Sequence, residues 1–157
     1  MKAETVASVR KLGACTEAVE WLAEQKNPTL AWRDCVRGDW MLWLLGKLAG
    51  QVGDPRRKKL VLAACGCARL SMKYVRAGED RPRIAIETAE RWAKGKATIE
   101  EVRTAASAAS AAYSASAAYA AAYSAAYAAS AAEQSKVTEQ CAGIVREFYP
   151  RPPRLEA

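Results

Sequence analysis

The chain of 157 residues contains no histidine at all and only one phenylalanine. Histidine is the usual general base and the commonest metal ligand near neutral pH, so its absence removes the ordinary acid–base and zinc chemistries. A Gly-rich phosphate loop, a nucleophile elbow and a paired Cys-x-x-Cys are missing as well. The five cysteines, Cys15, Cys35, Cys65, Cys67 and Cys141, are an odd set. Cys65 and Cys67 flank Gly66 in a segment that reads as helix, where their side chains diverge by about 200° and cannot chelate one ion. The amino end is polar and carries no secretion signal, which with the odd cysteines predicts a reduced, cytoplasmic protein. These absences predict a protein that is not an enzyme and uses no metal and no cofactor.

Charge is also missing locally. Residues 104–132 carry none, and residues 105–132 comprise 18 Ala, 6 Ser and 4 Tyr. The length suffices for a membrane span, but alanine, serine and tyrosine contribute far less insertion energy than leucine or isoleucine, so no membrane association is expected. Thr98 and Glu101 form a capping box, and one long Ala/Ser/Tyr helix is predicted over 98–132. At 100° per residue, Tyr113, Tyr127, Tyr123 and Tyr119 fall within about 120° of one another. They form either a face packed on the core or an exposed stripe for stacking. Continued to residue 148 the helix would reach about 76 Å, against about 40 Å for a compact globule of this size. A break near residues 133–135 is expected, with Ser135 or Thr138 capping a last helix to Phe148; otherwise the helix projects and pairs with another copy.

What the chain does have is tryptophan and concentrated positive charge. Trp21, Trp32, Trp40, Trp43 and Trp92, with the leucines of residues 41–48 and 60–70, are the candidate core. Helices are predicted from Thr16 as cap to about Gln25, over residues 30–36, and over 40–49 behind Asp39, with Trp40 and Trp43 on the buried face. Arg37-Gly38-Asp39 spells an adhesion tripeptide, yet reads here as a helix stop followed by a cap. Asp54-Pro55 opens a helix to about Val75, whose uncharged stretch 60–68 predicts burial in mid-bundle, with Gly66 admitting a close neighbour. Another helix starts at Pro82 and ends at Gly95, with Glu87–Arg91 and Glu90–Lys94 as i,i+4 pairs. The expectation is an all-α helix bundle of six to seven helices, one domain over 1–157. Within it, a Trp-rich module (1–53) packs on a helical core (54–149), followed by a Pro-rich tail (150–157).

The net charge is +7. Between Arg56 and Lys96, 12 Lys and Arg face only Glu79, Asp80, Glu87 and Glu90, a local +8. An anionic partner for this segment follows, whether protein, nucleotide or nucleic acid. Candidate contacts are Arg56 and Arg57, badly placed for the dipole of their own helix, then Arg69, Lys73 and Arg76, then Arg81 and Arg83. The last two lie beside a helix N-terminus that could share an anion with them.

From Cys67-Ala68 onward the chain resembles the immunity-five-like family of bacterial immunity proteins, associated with polymorphic toxin systems. The resemblance, mainly over residues 62–132, rests on Asp80-Arg81-Pro82-Arg83-x-Ala85-Ile86-Glu87-x-Ala89-x-x-Trp92-Ala93-x-Gly95 followed by the alanine-rich helix. It implies a non-catalytic protein that neutralises a protein partner, a toxin or defence effector, by stoichiometric binding; in a phage the corresponding role is anti-defence. Family members carry histidines in the alanine-rich helices where this chain has tyrosine and serine, so no histidine-dependent role carries over. The rival readings are capture of a nucleotide or nucleic acid by the same arginines, with Tyr113, Tyr119, Tyr123 and Tyr127 stacking, and a self-assembling helical homo-oligomer.

Overall fold

The computed structural model describes residues 1–115 and 131–155. The described residues form eight α-helices and no strand: α1 (Ala3–Lys11), α2 (Thr16–Glu24), α3 (Pro28–Asp34), α4 (Gly38–Leu48), α5 (Pro55–Arg69), α6 (Arg81–Ala93), α7 (Ile99–Ala115) and α8 (Ala131–Phe148). A 3-10 turn at Met72–Tyr74 follows α5. The all-α expectation holds, with one helix more than expected. That helix is α1, whose dipole is matched by Glu4 in the first turn and Arg10 and Lys11 in the last, and whose inner face is anchored by Val9.

Local capping chemistry explains most boundaries. Asn27 accepts a hydrogen bond from Leu30 N and starts α3 at Pro28, two residues before the expected Leu30. Asp54 accepts from Arg56 N at the head of α5. The capping box is reciprocal: Thr98 N donates to Glu101 Oε2 at 2.6 Å and Glu101 N donates to Thr98 Oγ1 at 3.2 Å. Two expected caps are corrected. The residue before α2 is Cys15, with Thr16 already helical, and α4 begins at Gly38, so Asp39 lies in its first turn and bonds the Arg37 guanidinium instead. α5 stops at Arg69, short of Val75, and tightens into the 3-10 turn.

The core sits where α8 lies against α4 and α5, with Trp32 and Cys35 of the α3 end beside it. Val145 and Ala142 of α8 are completely buried. Gly38 meets α8 so closely that a Cβ there would lie 2.5 Å from Cys141 Cβ and 2.6 Å from Ala142 N. The glycine is thus required by a helix crossing, not only by the stop that the sequence suggests. Gly66 is the second close approach, 2.9 Å from Ile144 Cγ2 to its virtual Cβ, as the uncharged stretch implies. Arg146 secures the junction by donating to the carbonyls of Cys35 (2.8 Å) and Trp32 (3.4 Å), where a cation suits the C-terminal end of α3.

The tryptophans divide. Trp32 and Trp92 are buried, whereas Trp21, Trp40 and Trp43 are half-buried. The inner face of α4 is Gly38, Met41 and Leu45, so the expectation that Trp40 and Trp43 mark its buried face is overturned. Trp40 packs at the edge of the core, with its ring centroid 6.0 Å from that of Trp21, and Lys47 lies over the Trp43 ring at 5.6 Å. Large rings do not fit a crossing as close as that of α4 and α8.

Cys65 and Cys67 diverge as expected, the first bonding the Ile86 carbonyl of α6 and the second the Cys141 carbonyl of α8, each at 3.7 Å. α5 is therefore the central helix, with α6 on one side and α8 on the other, and α7 packs on the far side of α6. The contacts Cys65–Ile86 and Arg69–Glu90 advance together, so α5 and α6 run in the same direction and residues 70–80 return between them.

The last two helices are not one straight rod. Ile144 meets Gly66, whose neighbour Cys65 bonds Ile86, one helical stretch from Arg91, which reaches Glu101. That path spans under about 40 Å, against about 64 Å for a straight helix between residues 101 and 144. No break occurs over residues 133–135: α8 runs through them, and the Thr138 hydroxyl donates to the Ser135 carbonyl instead of capping. Residues 116–130 of the expected Ala/Ser/Tyr helix, with Tyr119, Tyr123 and Tyr127, lie outside the described residues. So does the Tyr113 side chain. No helix among the described residues is long and apolar enough to cross a membrane.

Candidate partner-binding face

Asp80 precedes α6 and Pro82 occupies its first turn, which fixes where the helix begins and presents Arg81 and Arg83 at its head. Trp92 (9% exposed) and Thr88 (4%) are the buried residues of α6 and hold it inward, leaving the charged side out. Arg83 stands between two carboxylates: Asp80 Oδ1 accepts at 3.0 Å and Glu87 Oε1 at 3.1 Å. One turn beyond Glu87, Glu90 accepts a two-pronged bond from Arg69 of α5, at 2.9 and 3.0 Å. The series Asp80, Arg83, Glu87, Glu90, Arg69 is an alternating-charge stripe running along α6 and across to α5.

Arg81 is turned to Glu79, which accepts from its backbone N at 3.1 Å and from its Nε at 2.7 Å. The guanidinium beside it draws the Glu79 carboxyl down to about 2. Glu90 is lowered too, chiefly by its hydrogen bonds from Arg69. The N-terminus of α6 is thus already supplied with a carboxylate of its own chain, contrary to the expectation of free N–H groups shared with a partner's anion.

The helix-support pairs expected on α6 are corrected by this geometry. Glu87 takes Arg83 rather than Arg91, and Glu90 takes Arg69 rather than Lys94. Arg91 reaches Thr88 at 3.4 Å and Glu101 of α7 at 4.0 Å. Arg83 and Glu87 stand at the visible i,i+4 spacing, in the less favourable order. Nothing local signals Arg69–Glu90, which spans 21 residues.

The seven basic candidates do not form one cluster. Arg69, Arg81 and Arg83 are exposed around the head and flank of α6, and Lys73 and Arg76 are exposed in the segment joining it to α5. Arg76 has no ion-pair partner among the described residues. Arg56 and Arg57 lie at the other end of α5, about 20 Å away along the helix, and hold the α4–α5 junction. Arg57 donates to the Gly50 carbonyl at 2.8 and 2.6 Å, and Arg56 pairs with Asp54 at 2.8 Å. Lys59, the last of that basic run, lies over the Tyr149 ring at 4.8 Å. The unfavourable dipole position of this run is therefore offset by tertiary bonds that the sequence does not display.

Cys65 and Cys67 are poor nucleophiles here. Burial pushes Cys65 up to about 11 and Cys67 up to about 12. No group of three or more His, Cys, Asp or Glu among the described residues is placed to hold a metal ion.

Helices and face together define an all-α protein that presents a laterally paired, alternating-charge surface. Residues 51–142 match the family described as Imm-5 like putative immunity protein, and the chain belongs to that family. The match takes in α5, α6, α7 and the first part of α8, including all of Asp80 to Trp92, and leaves α1 to α4 outside. No curated protein and no solved structure matches the chain.

Proposed function

We propose that this chain is a non-catalytic immunity or anti-defence protein that neutralises a protein partner by stoichiometric binding through the α5–α6 face. The observation that carries the reading is membership of an immunity-protein family over a segment that contains this face. A protein partner suits the stripe better than a polyanion does. Arg69, Arg81 and Arg83 already hold carboxylates, and a surface of interleaved signs is complemented by another such surface. A phosphate backbone would instead have to displace those acids.

The test is co-expression with any toxin encoded beside its gene, scored as cell survival, together with the stoichiometry and affinity of the purified pair. Protection and a 1:1 complex are expected, and Arg83→Glu should weaken the complex by about tenfold or more. Absence of both protection and complex would sink the proposal. Tight oligonucleotide binding that falls steeply with added salt would replace it with the nucleic-acid reading.

A further inference from the structure

The half-buried tryptophans outside the family match are not simply leftover core. Trp21 of α2, Trp32 of α3, and Trp40 and Trp43 of α4 line an apolar cleft together with Pro28. About 100 Å³ of free space remains in it, so the cleft is largely filled as it stands. The chain's own tail lies along this cleft, contributing Pro152, Pro153 and Leu155 to its lining.

Three observations give the cleft a chemistry. First, the tail forms no regular hydrogen-bonded structure, and it sets Pro152, Pro153 and Leu155 half-buried while Arg151 and Arg154 are exposed. A proline-rich strand without internal hydrogen bonds leaves its own carbonyls open to outside donors. Second, the Trp32 indole Nε1 donates to the Tyr149 carbonyl at 2.7 Å, directly before Pro150. An indole donor aimed at a main-chain carbonyl, beside flat apolar rings, suits a proline-rich strand, whose own carbonyls lack intrachain partners. Third, Arg37 lies 4.3 Å over the Trp40 ring at the side of the cleft, which steadies that ring without filling the space.

We propose that the cleft between Trp21, Trp32, Trp40 and Trp43 is a receptor groove for a proline-rich segment of a protein partner, closed in this chain by its own tail. The tail seat defines the occupant: an extended Arg-Pro-Pro-Arg-Leu-like strand with the prolines and leucine inward and the cations outward. The tail, tethered at Tyr149, competes as an intramolecular ligand at high effective concentration, so binding in trans is gated by its release. This groove is separate from the α5–α6 face and stands or falls independently of the immunity reading.

The experiment uses the full chain and a synthetic Pro-Arg-Pro-Pro-Arg-Leu peptide, with binding read by tryptophan fluorescence and calorimetry. A chain carrying Pro152→Ser, Pro153→Ser and Leu155→Ser should bind the peptide at least about tenfold more tightly than the unaltered chain. A peptide with alanine for each proline should not bind. On the unaltered chain at millimolar peptide, the indole N–H resonances of Trp21, Trp40 and Trp43 should shift, a measurement that holds even if the tail variant unfolds. Equal affinities in the two chains, or unmoved indole signals, overturn the proposal. A concentration-dependent dimer of the unaltered chain, abolished by the tail substitutions, also overturns it, by assigning the groove to the tail of a second copy.

Discussion

Where α8 crosses α4 and α5, contact is made by residues with almost no side chain, Gly38, Gly66 and Ala142, and by the fully buried Val145. Between α5 and α6, one turn along the same central helix, the outer contact is the long, exposed Arg69–Glu90 pair. The two interfaces of α5 differ in tolerance. Close-packed crossings cannot admit a methyl group without displacement, whereas an exposed ion pair can be lost or exchanged at little energetic cost. A surface of the second kind can therefore vary to suit a partner while the first kind keeps the fold.

The comparison breaks most visibly at Trp32, which belongs to the close-packed side and is 6% exposed. Trp32→Ala removes the ring and the bond to the Tyr149 carbonyl, with an expected loss of about 3–5 kcal/mol in chemical denaturation. A loss below about 1 kcal/mol would mean that the junction of α3 with the chain end does not hold the core.

Gly38→Ala gives a sharper result because two effects oppose one another. Helix propensity alone would make alanine stabilising by up to about 1 kcal/mol. The crossing, with Cys141 Cβ 2.5 Å from the new methyl carbon, should instead lower stability by about 1–3 kcal/mol. A melting temperature that rises would show that α4 and α8 are not in close contact in solution.

The smallest effect belongs to the charged side. Glu90→Gln should cost no more than about 1 kcal/mol at neutral pH, since both partners are partly exposed. Its signature is the pH profile. Glu90 and Glu79 have folded-state values below the ordinary glutamate value, so their contribution is present above about pH 4.5 and is lost as pH falls towards the folded values; for Glu79 that value is about 2. The difference in melting temperature between the unaltered chain and Glu90→Gln should thus be steady near neutrality and shrink with acid. A difference that grows on acidification would contradict the ion-pair account.

Much of the framework was legible because it is written locally. Asp54-Pro55, Pro82, the Thr98–Glu101 box and the uncharged stretch around Gly66 each encode a boundary or a burial within a few residues. The candidate face was legible only in half. Arg81, Arg83 and the motif around Pro82 are visible in the sequence, but helix spacing points Glu90 to Lys94, since it says nothing about Arg69 on a neighbouring helix, and it fits Glu87 to Arg91 as well as to Arg83. Arg146 could not be found at all, since its partners are the Trp32 and Cys35 carbonyls, more than 100 positions away. The rings of Trp40 and Trp43 were misplaced for a related reason: an aromatic residue reads as core until the helix it would face proves too close.

By itself the sequence determined that this protein is helical, where most helices begin, and that its family motif lies at the head of one of them. Periodicity and capping act over three or four residues, so they survive in a linear text. Tertiary structure alone decided which helices touch, that Gly38 is a crossing point, that Arg69 pairs with Glu90, and that the tail lies in a tryptophan cleft. Those outcomes depend on the distance between segments far apart in the chain, and no local spacing encodes that distance.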